Sequence, residues 1–378
     1  METTRVAIEY SAAAERLYMA MELAAARWVL LFGRGTKTRR VSVAAADLKR
    51  VQHEIELAKQ KLGVAADAEV VSCYEAGRDG FWIHRWLTSI GVHNLVVDSA
   101  SIEVSQRAKR VKTDRVDVEK LLRLLMRACG GERDVWRVVR VPTVEQEDHR
   151  RLHRERERLQ KERTALGNRI GSLLAMLGLH LQLRRDFETR LAQAPCWDGT
   201  AVPAHLQAEI GRMWQRCELL EQQLRQVEKS RNELLAAAQD GHSVQIKRLM
   251  QLRCIGLNTA WVVCSEMLGW REIRNRRELG ALAGLCPTPY ASGSSEREQG
   301  ISGAGNRRVR SQMVEIAWFW LRLQRDSELA RWFQRRFGSG GKRSRRIGIV
   351  ALARKLLVAL WRFLHDGVIP AGAVLKTV

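Results

Sequence analysis

Residues 112–120 read KTDRVDVEK, placing Asp114 and Asp117 three apart inside a positive run. A helix that begins near Thr113 carries both carboxylates on one face, a single turn apart. Two further acids end apolar stretches: Glu22 closes YMAMEL and Glu75 closes VVSCYE. Burial disfavours a carboxylate at the end of such a strand unless a cation or hydrogen-bond donors compensate. Four carboxylates at one sheet edge could hold two divalent ions about 4 Å apart, a pair that activates an attacking oxygen and stabilises a leaving one in phosphodiester chemistry. Oxygen ligands with no matching His/Cys set favour Mg2+ or Mn2+ over zinc. Lys109, Arg110, Lys112 and Arg115 would attract a phosphate backbone while the acids hold metal against it. The plainer alternative is that both aspartates only favour the positive end of their helix, with Thr113 or Asp114 as its cap.

The elements that must position these acids are legible over residues 15–142. RLYMAMEL and RWVLLFG read as neighbouring strands and RRVSVA as a third, followed by a helix over roughly 44–61. EVVSCYEAG is a short buried strand, GFWIHRWLTSIG a helix, HNLVVDS another strand and DVEKLLRLLMRAC an amphipathic helix. Strands first, then alternating β and α units, predict a mixed sheet with helices packed on it, the α/β part of an α/β plus α chain.

Residues 144–243 change character. Leu152, Leu159, Leu166 and Leu173 fall seven apart with Ile170 and Leu177 on the companion seam. A second series runs Leu206, Met213, Leu220, Val227 and Leu234, with Ile210, Cys217 and Leu224 between. The breaker APCWDGTAVP divides them, so the spacing predicts an antiparallel coiled-coil hairpin, serving as a structural arm, a dimerisation element or a reach across a duplex. His149 and His153, in HRRLH, read as a solvated helix face rather than a metal pair.

The remainder, 244–378, reads as helical with Gly-rich interruptions. QLRCIGLNTAWVVCSEMLGW suggests two short helices joined at Gly256, and LAGLCPTPYASGSSEREQGISGAG a loop of small residues opening into a helix near Asn306. GNRRVR sets Asn306, Arg307, Arg308 and Arg310 at that helix start, suited to backbone phosphates. GSGGKRSRR, with Lys342, Arg343, Arg345 and Arg346, fails the G-x-x-x-x-G-K-[ST] phosphate-loop pattern because Arg343 follows Lys342, which removes nucleotide hydrolysis. Most of the twelve tryptophans are expected in cores, Trp28, Trp82, Trp318 and Trp320 among them.

Composition narrows the partner. With 64 Lys plus Arg against 42 Asp plus Glu, the 378-residue chain carries a formal charge of +22. An excess of that size fits a polyanion, DNA or RNA alike. From residue 301 onward there are 16 basic against 4 acidic residues. No apolar run approaches the length of a membrane span, and METTRVAIEY lacks a signal-peptide layout. Seven scattered cysteines without a C-x-x-C pair suit reduced thiols in a cytosol.

Taken in order, these segments resemble the DEDD-type insertion-sequence transposases, some of them serine-using recombinases guided by a bridge RNA. AKRVKTDRVDVEKLLRLL is similar to the family's N-terminal signature. LAGLCPTPYASG with GISGAGNRRVRSQMVEIA, and then RRIGIVALARKLLVALW, resemble its C-terminal transposase domain. The resemblance implies an RNase H-like, RuvC-like catalytic domain over 1–143, a coiled-coil arm over 144–243 and a helical C-terminal domain over 244–378. It implies that Glu22, Glu75, Asp114 and Asp117 are the metal-binding tetrad, although the family's first acid is usually aspartate and Glu22 is a methylene longer. It assigns the phosphodiester-attacking serine to Ser292 in YASG, with Ser294 and Ser295 close behind. The metal site would meet that serine in a composite active site, supplied within or between subunits. The expected partners are element and target DNA, a bridge RNA and further copies of the chain, as dimer or tetramer through the arm, in a bacterial cytoplasm at the nucleoid. The rival readings are a metal-dependent junction nuclease, which needs no Ser292, and a non-catalytic nucleic-acid-binding protein in which Glu22 marks a decayed site.

Overall fold

A computed structural model describes residues 3–4, 15–102, 114–132, 135–237, 240–292 and 295–376, the side chains of 3–4, 100, 114–116, 289–292 and 295–299 excepted. The chain divides into two compact units, Met1–Val141 and Pro142–Val378.

In the first unit the strands are β1 (Thr3–Thr4), β2 (Arg16–Leu23), β3 (Arg27–Arg34), β4 (Lys37–Ala44), β5 (Glu69–Glu75), β6 (His93–Val97) and β7 (Val138–Val139). They form one sheet in the order β1-β7-β6-β5-β2-β3-β4. β2, β3 and β4 make an antiparallel meander, as the strand readings of the sequence require; β5 pairs parallel with β2, and β6 parallel with β5. Parallel neighbours need crossovers, and helices α1 (Leu48–Leu62) and α2 (Trp82–Ser89) supply them. Strand alternation then sorts the side chains. Leu17, Met19 and Met21 of β2 join Val51, Ile55 and Ala58 of α1 and Ile83 and Leu87 of α2 in one core. Ala20 of β2 and Val71 and Cys73 of β5 join Val118, Leu121, Leu122 and Leu125 of helix α3 (Asp114–Cys129) in another, on the opposite face. The sheet is thus covered on both sides. α3 begins at Asp114, beside the start expected from Thr113.

The second unit opens with α4 (Val144–Asp148) and a pair of long helices, α5 (Arg151–Ala175) and α7 (Ala204–Ala237), with the short α6 (Phe187–Gln193) between. Arg156 pairs with Glu228 and Arg163 with Glu221, seven residues on in α5 and seven back in α7, so the helices run antiparallel along the heptad seam. Leu159, Ile170, Met213, Cys217, Leu220 and Val227 are buried along it. The connection is longer than the APCWDGTAVP breaker suggested. α5 stops at Ala175, and α6 packs Phe187 and Leu191 against Ile210, Met213 and Trp214 as a small cap. Phe187 and Leu191 were not apparent as core because seven residues are too few to display a helical period. Leu234, at the end of the second heptad series, is 49% exposed.

The helices α8 (Gly241–Met250), α9 (Leu257–Val263), α10 (Arg276–Leu282), α11 (Arg307–Leu323), α12 (Glu328–Phe337) and α13 (Lys342–His365) share one core. Gly256 caps α9 as the turn reading anticipated, and α9 runs on into a π-helical turn, Cys264–Leu268. The segment expected to be a small-residue loop is instead an antiparallel hairpin, β8 (Pro287–Ser292) with β9 (Ser295–Ile301). Trp28 and Trp320 are buried as expected, whereas Trp82 and Trp318 are 38% and 44% exposed. No helix among the described residues is long and apolar enough to cross a membrane.

Candidate active site

Glu22 and Glu75 stand next to each other at one edge of the sheet. The parallel register of β2 and β5 pairs Met21 with Tyr74, and each glutamate is one residue beyond. Alternation puts Glu22 on the face of Ala20 and Glu75 on that of Cys73, which is the face α3 covers. Both are half-buried and line a single cleft of about 330 Å³, together with the Gly77–Gly80 turn. That turn is pinned: Ala76 N donates to Val97 O at 2.8 Å, Ser99 Oγ to Ala76 O at 3.2 Å and Tyr74 Oη to Gly80 O at 3.1 Å.

Helix α3, which carries the third acid, packs on this face of β5. Leu121 O faces Cys73 Sγ at 3.9 Å. Asp117 lies one turn before Leu121 on the same stripe, about 6 Å along the axis, and Glu75 lies two strand residues beyond Cys73, about 7 Å away. Asp117 is half-buried, and Asp114 is the first residue of the helix. Lys109, Arg110 and Lys112 fall outside the described residues, as does the Arg115 side chain.

The donor set fits a hard divalent cation. It consists of carboxylates on rigid elements with no thiol or imidazole among the described residues that line the cleft, and Glu22 and Glu75 open into a common space. Among the described residues, no group of three or more His, Cys, Asp or Glu is placed to hold an ion, so the fit rests on the Glu22–Glu75 pair.

In the second unit, Ser292 ends β8 opposite Ser295 in the hairpin register, and Ser294 lies outside the described residues. The root of the hairpin is packed backbone to backbone. Ser302 N donates to Cys286 O at 2.8 Å, Gly303 N to Gly284 O at 3.2 Å and Asn306 N to Leu282 O at 2.7 Å. Gly284 (φ +67°) and Gly305 (φ +137°) occupy the left-handed region, and a Cβ on Gly305 would come within 2.7 Å of Gly284 N.

The basic candidates divide into two sets. Asn306 caps α11, its Oδ1 accepting from Arg308 N and Val309 N. Arg308 Nε donates to Glu157 Oε2 of α5 at 2.6 Å, and Arg310 Nη1 donates to Ala283 O at 3.1 Å. Those donors are engaged within the protein, while Arg307 is exposed. Lys342, Arg343, Arg345 and Arg346 are all exposed at the start of α13, whose Gly341 cap offers no side-chain acceptor. Between Glu328 and Asp366 the chain holds ten cations and no carboxylate. Cations at the positive end of a helix are unfavourable, and a bound phosphate would reverse that.

Sequence reasoning missed one cluster. His153, expected on a solvated face, is 2% exposed and meets Glu266 at 2.8 Å. Arg154 donates to both Glu266 oxygens, at 2.7 and 2.9 Å, and Asn306 Nδ2 donates to Oε2 at 3.0 Å. Burial pushes the Glu266 carboxyl up, but the bonds from His153 and Arg154 more than reverse it and hold the group well below the usual carboxylate range. Burial also lowers His153, so its imidazole is neutral and Nε2 carries the donated proton. One signal was available: Glu266 is the lone charged residue within WVVCSEMLGW. His149 is half-buried, stacked on His242 with ring centroids 4.4 Å apart.

Comparison with known proteins places these features in company. The family described as Transposase IS116/IS110/IS902 matches residues 246–332. The chain is 42% identical to the putative transposase y4rJ of Sinorhizobium fredii over 376 residues, covering 96% of this chain and 95% of that protein. It is 27% identical to the transposase for insertion sequence element IS1111A of Coxiella burnetii, covering 76% and 71% of the two chains. Against the transposase for insertion sequence element IS1328 of Yersinia enterocolitica the identity is 26%, over 69% and 74%.

Proposed function

The chain belongs to the IS116/IS110/IS902 transposase family, and from that premise we propose that it cuts and rejoins DNA strands with a carboxylate site in the first unit and Ser292 in the second. The observation that carries this reading is the placement of Glu22 and Glu75 at the ends of adjacent parallel strands, on the α3 face, lining one cleft. A meander followed by two parallel strands on its far side is also the sheet an RNase H-like, RuvC-like domain would have.

Glu22, Glu75, Asp114 and Asp117 would hold Mg2+ or Mn2+, which when bound supplies Lewis-acid polarisation of phosphodiester oxygens. The protein's own groups do the rest. Ser292 Oγ bonds to phosphorus as the bond from phosphorus to a sugar oxygen breaks; the serine gives up a proton and the leaving oxygen takes one. One phosphoester replaces another, so rejoining reverses the step without nucleotide hydrolysis. The exposed Lys342, Arg343, Arg345 and Arg346, with Arg307, bind the phosphate backbone. A structured RNA from the element reads the DNA sequence by base pairing while the protein reads backbone, and the same cations serve RNA and DNA. Leu219 and Leu234, both exposed on α7, give the arm apolar positions for pairing with a second copy. The work is done in the bacterial cytoplasm, at the nucleoid.

The test is to express the protein with its native flanking DNA, sequence the RNA that copurifies and supply that RNA with duplex carrying the same flank. A protein–DNA adduct stable to denaturation, lost in Ser292→Ala, is the expected result. Cutting that survives Ser292→Ala would replace the recombinase with a nuclease. Recovery of heterogeneous RNA alone would remove the guide.

A further inference from the structure

The buried Glu266 cluster joins two parts of the second unit that the sequence separates by more than a hundred residues. Glu266 sits within the π-helical turn Cys264–Leu268 and is 1% exposed. From one side His153 and Arg154 of α5, at the root of the arm, donate to it; from the other comes Asn306. Asn306 in turn starts α11 with its Oδ1 and closes the β8–β9 root with its backbone N–H to Leu282 O.

Two further bonds run in parallel. Arg308 reaches Glu157, one turn along α5 from His153, and Arg310 holds Ala283 O at the end of α10, four residues before β8. Three residues at the start of α11 therefore tie the arm to the base of the serine hairpin. A solvated helix start does not require this. The Asn306 cap needs only Oδ1, and a polar surface asparagine would leave Nδ2 to water.

Resting on the serine reading above, we infer that Glu266 is a positioning residue for the Ser292 hairpin. Its carboxylate fixes the hairpin base against the arm, so displacement of the arm by bound nucleic acid is felt where the serine is carried. The π-helical turn supports this role, because its added residue re-aims a side chain that a regular helix would point elsewhere. A carboxylate is the group that can serve all the donors at once: two oxygens accept four hydrogen bonds, two of them from one guanidinium fork.

The experiment compares Glu266→Gln with the double variant Glu266→Gln/Asn306→Asp. The single change sets an amide NH2 against donors. The double change reverses the polarity of the 266–306 bond, and the carboxylate introduced at position 306 keeps an oxygen for the α11 cap. Single-turnover cleavage of duplex carrying the native flank, at saturating DNA and with RNA transcribed from that flank, should fall at least tenfold in Glu266→Gln. Its Kd for the same duplex should stay within about twofold, and the double variant should recover most of the rate. Leu249→Ala, a core change in the same unit, controls for stability. A Glu266→Gln rate equal to that of this control at matched Tm loss, or no recovery in the double variant, would overturn the inference. Hydrogen exchange at the Gly303 and Asn306 amides supplies a readout that needs no nucleophile. Faster exchange there in Glu266→Gln supports the tether even if Ser292→Ala still cuts and the serine reading falls; unchanged exchange refutes it.

Discussion

Glu75 follows five buried residues of its strand and still opens into a cleft with Glu22. Glu75→Gln keeps the size of the side chain and removes the charge that a metal ligand needs. The change is therefore expected to leave Tm near that of the wild type and to lower strand cleavage by about a hundredfold or more, the order that loss of a key electrostatic group produces. A melt and a single-turnover assay on one preparation separate the two effects; a fall in both would make Glu75 structural. Glu22 permits a finer test of reach. Glu22→Asp shortens the ligand by one methylene and should retain far more activity than Glu22→Gln, whereas equal loss would mean that position 22 does not act through its charge. These acids were legible because each ends an apolar strand. His153 was not: its partner is 113 residues away in sequence, and nothing around HRRLH distinguishes a buried imidazole from a wet one.

At the scale of elements, α13 carries the most testable packing. Gly348 lies where α12 crosses it, and a Cβ there would come within 2.7 Å of Phe337 Cδ2 and 2.9 Å of Phe333 Cε2. Gly348→Val should destabilise by about 1–3 kcal/mol, the usual result of overpacking, read as a lowered urea midpoint with unchanged slope. The long periodic elements of this protein could be read from sequence because their apolar spacing extends over several turns or a full strand. α6 has only seven residues, and the serine hairpin is written in small and polar residues whose pairing comes from the bonded root at Gly284 and Gly305. Propensity carries little signal where backbone-to-backbone packing decides.

For the molecule as a whole, charge and pH set the conditions of work. Replacing Lys342, Arg343, Arg345 and Arg346 together by Ala should flatten the dependence of log Kd on log salt by roughly 3–4 units if each meets a phosphate. An unchanged slope would move the nucleic-acid contact elsewhere. Burial, aided by the neighbouring His149, lowers His242 from 6.5 to about 4, so the folded protein holds it neutral while the unfolded chain protonates it. The unfolded state then binds more protons between pH 6.5 and 4, and stability falls as pH drops through that window. His242→Phe should flatten the fall. Glu266 has the same sign at lower pH: its depressed folded pKa gives stability that is present above about 4.5, the ordinary carboxylate value, and is lost below it. Melts of the wild type, His242→Phe and Glu266→Gln from about pH 7 to 3 would show both segments; a Tm insensitive to pH above about 4.5 would exclude the His242 contribution.

The two arm helices also limit how this protein can change its size. Two of their ion pairs stand seven residues apart on both helices of the hairpin, Arg156 with Glu228 and Arg163 with Glu221. Adding or removing a few residues from one helix would rotate its apolar seam into water and break that register. Length is therefore quantised. The arm can grow or shrink only by matched heptads in α5 and α7, in steps of about 10.5 Å at roughly 1.5 Å per residue.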